Sequence, residues 1–165
     1  MRPVKFSVFR SYGWISSVAA LVVIWAFGVR PQQPEWGLLL TGVTLVLSFA
    51  YFVQKQKLDE TRLFADFFTR FNDRYDRLND ELLGIIEKPQ REQLQPAEIR
   101  VLVDYFNLCG EEYLIWTQGY LLPEVWESWF KAMNFYFRQP RIQALWKREL
   151  ATESYYGLER LLKYE

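Results

Sequence analysis

Histidine is absent from this chain of 165 residues, and cysteine occurs once, at Cys109. Without histidine, the commonest metal ligand and the commonest general base are missing. Ser-His-Asp and Cys-His nucleophile sites are excluded, as are zinc clusters built from cysteine and histidine. Di-iron chemistry of the helical-bundle kind is excluded too, because it draws on Glu-x-x-His pairs. Only Ser–Lys arrangements stay formally open. One cysteine cannot form an intramolecular disulfide, so nothing points to an oxidising compartment. The eight glycines are dispersed, and no G-x-x-x-x-G-K-[ST] loop is present to cradle phosphates. Strand-like alternation, repeats and low-complexity tracts are also missing.

What the chain does have is apolar length. The stretches Gly13–Val29 and Trp36–Val53 contain no Asp, Glu, Lys or Arg, and only residues 30–35 separate them. At 1.5 Å per helical residue, each crosses most or all of a hydrocarbon core about 30 Å thick. The expected membrane part is therefore residues 1–53, with helices over 13–29 and 36–53 and a connection over 30–35. Pro31 and Pro34 favour a turn there, while Trp14 and Trp36 sit near the expected membrane–water boundaries. A cleaved signal peptide over Arg2–Gly28 competes with this anchor, since Ala26-Phe27-Gly28 loosely imitates a small-x-small cleavage site.

A net charge of zero conceals an asymmetry. Residues 1–53 carry four basic residues against one acidic residue, and residues 54–165 carry 16 basic against 19 acidic. Arg2, Lys5 and Arg10 precede the first stretch, and Lys55 and Lys57 follow the second. The positive-inside bias then predicts a multi-pass protein of the inner membrane with both termini cytoplasmic. The mildly acidic remainder, residues 54–165, argues against nucleic acid as a partner. The partners expected are the lipid bilayer and either a second copy or another protein.

No Gly or Pro occurs between Val43 and Leu83, so the second apolar stretch is expected to continue as a helix to about Glu87, before Pro89. Along it Phe64, Phe68, Phe71, Tyr75, Leu78, Leu82 and Ile85 alternate at intervals of four and three. That is a heptad seam. It fits the core of the domain's own helical bundle, and aromatics at four of seven positions favour that use; a homodimeric coiled coil is the alternative. Pro96 opens the next helix, which runs to about Gln118 and is apolar on two faces, so it is expected at the bundle's centre. Leu122-Pro123-Glu124 opens a third, Gln139-Pro140 interrupts it, and Thr152 is expected to cap a last helix carrying Tyr155, Tyr156, Leu158, Leu161 and Leu162. The fold class expected is all-α: a two-helix transmembrane hairpin followed by a cytoplasmic bundle of four to five helices.

The best polar constellation lies on the central helix. Arg100, Asp104, Asn107 and Glu111 share a face, Glu112 lies beside it, and Arg70, Arg74 and Arg77 are candidate partners from the seam helix. Two carboxylates could bind Mg²⁺ or divide acid and base roles, but buried charges also need partners for purely structural reasons. Lys131, Arg138, Arg141, Lys147 and Arg148 form a loose basic cluster suited to a solvated helix surface, to anionic lipid headgroups or, less well given the tether, to nucleic acid. Cys109 reads as a small buried hydrophobe.

The string Asp104-Tyr105-Phe106-Asn107-Leu108-Cys109-Gly110-Glu111-Glu112-Tyr113 is distinctive. Gly119-Tyr120 and Glu124-Val125-Trp126-Glu127-Ser128-Trp129 follow it, and Arg70-Phe71-Asn72 and Tyr75-Asp76-Arg77-Leu78-Asn79 precede it. Together, across about residues 60–148, these segments resemble small bacterial two-span membrane proteins of uncharacterised function, of the DUF4760-like kind. The resemblance implies a two-span anchor and a cytoplasmic helical domain and brings no catalytic residues or cofactor. The expectation is a membrane-anchored interaction, scaffold or signalling module that is not an enzyme and carries no cofactor. A membrane effector whose helical domain controls permeability is the first alternative. A tethered enzyme using Asp104, Glu111 or Glu112 is the second.

Overall fold

The computed structural model describes residues 12–29, 36–89, 91–152 and 154–162. The leading basic residues Arg2, Lys5 and Arg10 and the expected connection over 30–35 lie outside them. Every regular element among the described residues is helical. In chain order these are α1 (Tyr12–Ile24), a π-helical turn (Trp25–Val29), α2 (Trp36–Glu87), α3 (Pro96–Thr117), α4 (Pro123–Phe137) and α5 (Pro140–Glu149). Two short 3-10 turns follow, Leu150–Thr152 and Leu158–Arg160. The chain divides into two units, Val4–Leu63 and Phe64–Glu165, with α2 contributing to both.

In the first unit, α2 is the one described helix long and apolar enough to cross a membrane. Its 52 residues amount to about 78 Å of helix, and its apolar stretch is hardly buried at all. Trp36, Leu40, Leu45 and Leu47 are each more than 60% exposed. A water-soluble core helix would hide such residues. The other apolar segment, Trp14–Val29, is shorter than the roughly 20 residues of a full span and ends in π geometry. Within this unit the two segments touch at small residues. A Cβ on Gly42 would lie 2.6 Å from Val23 Cγ1, and one on Gly28 would lie 3.5 Å from Leu39.

The second unit is built around α3. Leu102, Tyr105, Phe106, Leu108, Cys109, Gly110 and Glu112 are all buried on it, consistent with a helix apolar on two faces. Phe106, Phe137, Trp146 and Tyr155 form a continuous aromatic cluster, with ring centroids 5.3 Å apart for Phe106–Phe137, 4.9 Å for Phe137–Trp146 and 4.7 Å for Trp146–Tyr155. Such packing adds specific ring–ring attraction to the area buried.

Proline sets the helix starts. Pro96, Pro123 and Pro140 each occupy the first turn of α3, α4 and α5, where a missing N–H costs nothing. Gly119 stops α3 in the left-handed region (φ 78°), with Tyr120 N donating to Ile115 O and Gly119 N to Trp116 O. That is a Schellman ending, which glycine adopts without a Cβ penalty. The end of α2 is held from outside, since Arg141 Nη1 donates to Ile85 O at 3.1 Å and Nη2 to Pro89 O.

The C-terminal segment corrects one expectation. Thr152 caps no helix; its hydroxyl donates back to Glu149 O. The chain then turns through Tyr156 (φ 56°) and Gly157 (φ 89°) into a single 3-10 turn. Two successive positive φ values cannot belong to a right-handed helix. Instead Tyr155, Leu158 and Leu162 are buried individually, and the segment passes so close to α3 that a Cβ on Gly110 would meet Tyr155 O at 3.4 Å.

Candidate functional site

The seam of α2 supplies one wall of the site. Leu82 and Ile85 are in the buried core, and Phe64, Tyr75 and Leu78 pack against it half-buried. Phe71 is buried and meets Trp129 of α4 edge-on at 5.8 Å, whereas Phe68 is exposed yet stacks on the same indole at 5.9 Å. Trp129 is thus fixed on two sides by rings one helical turn apart.

The polar candidates separate into two groups. Asp104, Asn107 and Arg77 are exposed. Arg74 and Glu111 meet in a forked ion pair, Nη1 to Oε2 and Nη2 to Oε1, the latter at 3.3 Å. Both side chains are about a third exposed, at 34% and 40%, so solvent screens the pair and it contributes at most about 1 kcal/mol. Glu112, the neighbouring residue, is in the opposite situation. It is 6% exposed and lines a partly open pocket of about 130 Å³ together with Asn72, Tyr75, Tyr105, Trp129, Ala132 and Met133.

Burial sets the electrostatics of this cavity. Desolvation pushes the Glu112 carboxyl up to about 8, against the lowering effect of the Arg74 charge and with a further rise from Glu111. Tyr75 is raised, chiefly by burial and then by its hydrogen bond to Tyr136. Tyr105 and Cys109 titrate well above their ordinary ranges, burial again being the first cause. The Tyr75 and Tyr136 hydroxyls lie 3.2 Å apart, and Tyr136 donates in turn to Asn79 Oδ1 at 3.4 Å. These four groups, Tyr75, Tyr105, Cys109 and Glu112, are accordingly protonated near neutral pH.

Chemically, the site offers one protonatable carboxyl amid aromatic rings, and no second carboxylate lines the cavity. Among the described residues no three His, Cys, Asp or Glu side chains converge as metal ligands would. Asn72, Tyr105, Trp129, Ala132 and Met133 were not expected to form a site. Tyr105, Cys109 and Glu112 follow at intervals of four and three on α3, a spacing that puts them on one stripe without saying that this stripe is the buried one.

The basic cluster does not act as one group. Arg141 is committed to the end of α2, while Lys131, Arg138, Lys147 and Arg148 are exposed. Arg91, Arg141 and Arg148 line an open groove of about 530 Å³ that also holds Glu92. Nearby, Lys88 Nζ lies 2.6 Å from Glu98 Oε1, and this contact first, with the Gln95 N–H, holds Glu98 below the usual carboxylate range.

Comparison of the chain with protein-family models, with curated proteins and with solved structures gave no match.

Proposed function

We propose that this protein is a membrane-anchored helical module that works by binding a protein partner or a second copy of itself, without catalysing a reaction. The observation that carries the reading is α2, one helix that begins in an apolar stretch of membrane-spanning length and ends in the aromatic core of the second unit. A soluble enzyme has no use for more than a dozen exposed apolar side chains on one helix pair.

The finer topology in this proposal is a two-span hairpin in the inner membrane with both termini cytoplasmic. The close approach of Gly42 to Val23 and of Gly28 to Leu39 supports it, since membrane helices associate through small residues that let backbones approach. The basic residues flanking the two stretches support the orientation. The seam residues and the Arg74–Glu111–Glu112 group then serve to shape the helical unit that a partner recognises.

The test is crosslinking in cells with the full chain, compared with a chain starting at Lys57. The full chain is expected in the membrane fraction, crosslinked to itself or to a defined protein, and the shortened chain in the soluble fraction with that crosslink weakened. A full chain that is monomeric in mild detergent and captures nothing in cells overturns the proposal.

A further inference from the structure

The cavity beside Glu112 has the composition of a receptor for a positive charge. Tyr75 comes from α2, Tyr105 from α3 and Trp129 from α4, so rings from three helices line the same pocket as one carboxyl. Met133 adds a polarisable thioether and Asn72 an amide. No Lys or Arg lines the space. Arg74, the cation whose charge acts on the Glu112 carboxyl, is engaged by Glu111 in a two-point pair. An anionic guest would meet the Glu112 carboxylate, and a neutral apolar guest would leave that carboxyl desolvated with nothing gained. A compact cation satisfies both features, because ring faces and a carboxylate each attract it. The volume suits such a guest: about 130 Å³ is close to the roughly 150 Å³ of an engineered cavity that takes up benzene.

We infer that this cavity is a binding site for a small organic ammonium ion, held by the Glu112 carboxylate and the Tyr75, Tyr105 and Trp129 rings. The inference is independent of membrane anchoring and of any protein partner.

Its proton balance is explicit. The empty cavity holds Glu112 protonated at neutral pH, because desolvation lifts it to about 8. A bound cation favours the carboxylate, so binding releases one proton. Affinity therefore rises up to tenfold per pH unit toward about 8 and levels off above it. The other groups facing the carboxyl are Tyr75 from α2 and Tyr105 and Cys109 from α3, all held protonated through this range. Arg74 and Glu111 face each other as an ion pair beside the carboxyl, and the α4 residues lining the pocket, Trp129, Ala132 and Met133, carry no charge.

The experiment uses the full chain in detergent and tetramethylammonium as the probe, whose charge does not titrate, with binding read by calorimetry between pH 6 and 9. Saturable binding is expected, about fivefold tighter at pH 8 than at pH 7. Glu112→Gln is expected to weaken it more than tenfold and to remove the pH dependence. Ala132→Phe, which adds a ring at the exposed rim of the pocket while leaving the carboxyl in place, is expected to weaken it more than tenfold, so the inference does not depend on one variant folding. The neutral probe tert-butanol is expected to bind at least tenfold more weakly. No saturable binding at any of these pH values overturns the inference, and so does equal affinity for the neutral probe. Unchanged affinity in both variants overturns it as well.

Discussion

The two units of this chain use the same residue types in opposite ways. In the described part of residues 12–63, Trp14, Leu21, Trp36, Leu40 and Leu45 point outward and more than 60% of each is exposed. In residues 64–162, Phe106, Phe137, Trp146 and Leu158 have no exposed surface at all. Burial cannot have been the force that organised the first unit, because its apolar surface is not removed by folding. Under the proposed function a bilayer removes it, since α2 is long and apolar enough to cross one. In the second unit the chain removes its own apolar surface, chiefly by packing aromatic rings around α3.

The sharpest way to break this contrast is to put charge on the outward face of the first unit. Leu45→Arg with Leu47→Arg is expected to cost about 6 kcal/mol of insertion, near 3 kcal/mol for each central arginine. The double variant should move from the membrane to the soluble fraction on carbonate extraction while the helical signal of the second unit persists. Retention in the membrane would show that these side chains do not face lipid.

The converse break lies in the second unit. Trp146→Ala removes a fully buried ring in contact with Phe106, Phe137 and Tyr155. It is expected to destabilise that unit by about 3–5 kcal/mol, measured by urea unfolding, with membrane association unchanged.

Most of this division is legible in the residues themselves. Three prolines at 96, 123 and 140, Gly119 and the gap before Pro89 mark the helix boundaries because each acts on its own backbone. What is not legible depends on the third dimension. Asp104, Asn107, Glu111 and Glu112 look alike as polar residues on one helix, but only the rotational phase of α3 decides that Glu112 enters the core while Asp104 and Asn107 stay in solvent. The C-terminal turn is illegible for a similar reason. Its course follows Gly110, which gives it room to approach α3, and Gly157, which lets it reverse.

Glu112 supplies a break of intermediate size. A carboxyl whose folded value lies at about 8, against an ordinary value of 4.5, holds an extra proton in the folded state between those two pH values. Its contribution to stability is therefore full below about pH 4.5 and is lost as pH rises toward about 8. Glu112→Gln is expected to stabilise the second unit by roughly 3 kcal/mol at pH 7, with no gain at pH 4, as read from denaturation midpoints. A gain of equal size at both pH values would mean that burial of the charge is not the cause.

The smallest break compares one ion pair from each unit. Arg62 and Asp59 in the first unit are 3.8 Å apart and 69% and 54% exposed, so Arg62→Ala is expected to change nothing measurable. Arg74→Ala in the second unit removes a forked but screened pair and should cost no more than about 1 kcal/mol at pH 7. Its distinctive consequence is on the neighbour. The Arg74 charge holds Glu112 down and the Glu111 charge pushes it up. Arg74→Ala should therefore move the Glu112 titration to higher pH, and Glu111→Gln should move it lower. Carboxyl titration by NMR reads both. Shifts of opposite sign would establish that the half-exposed pair acts on the buried carboxyl through its charges; shifts of the same sign would instead mark a change in the packing around Glu112.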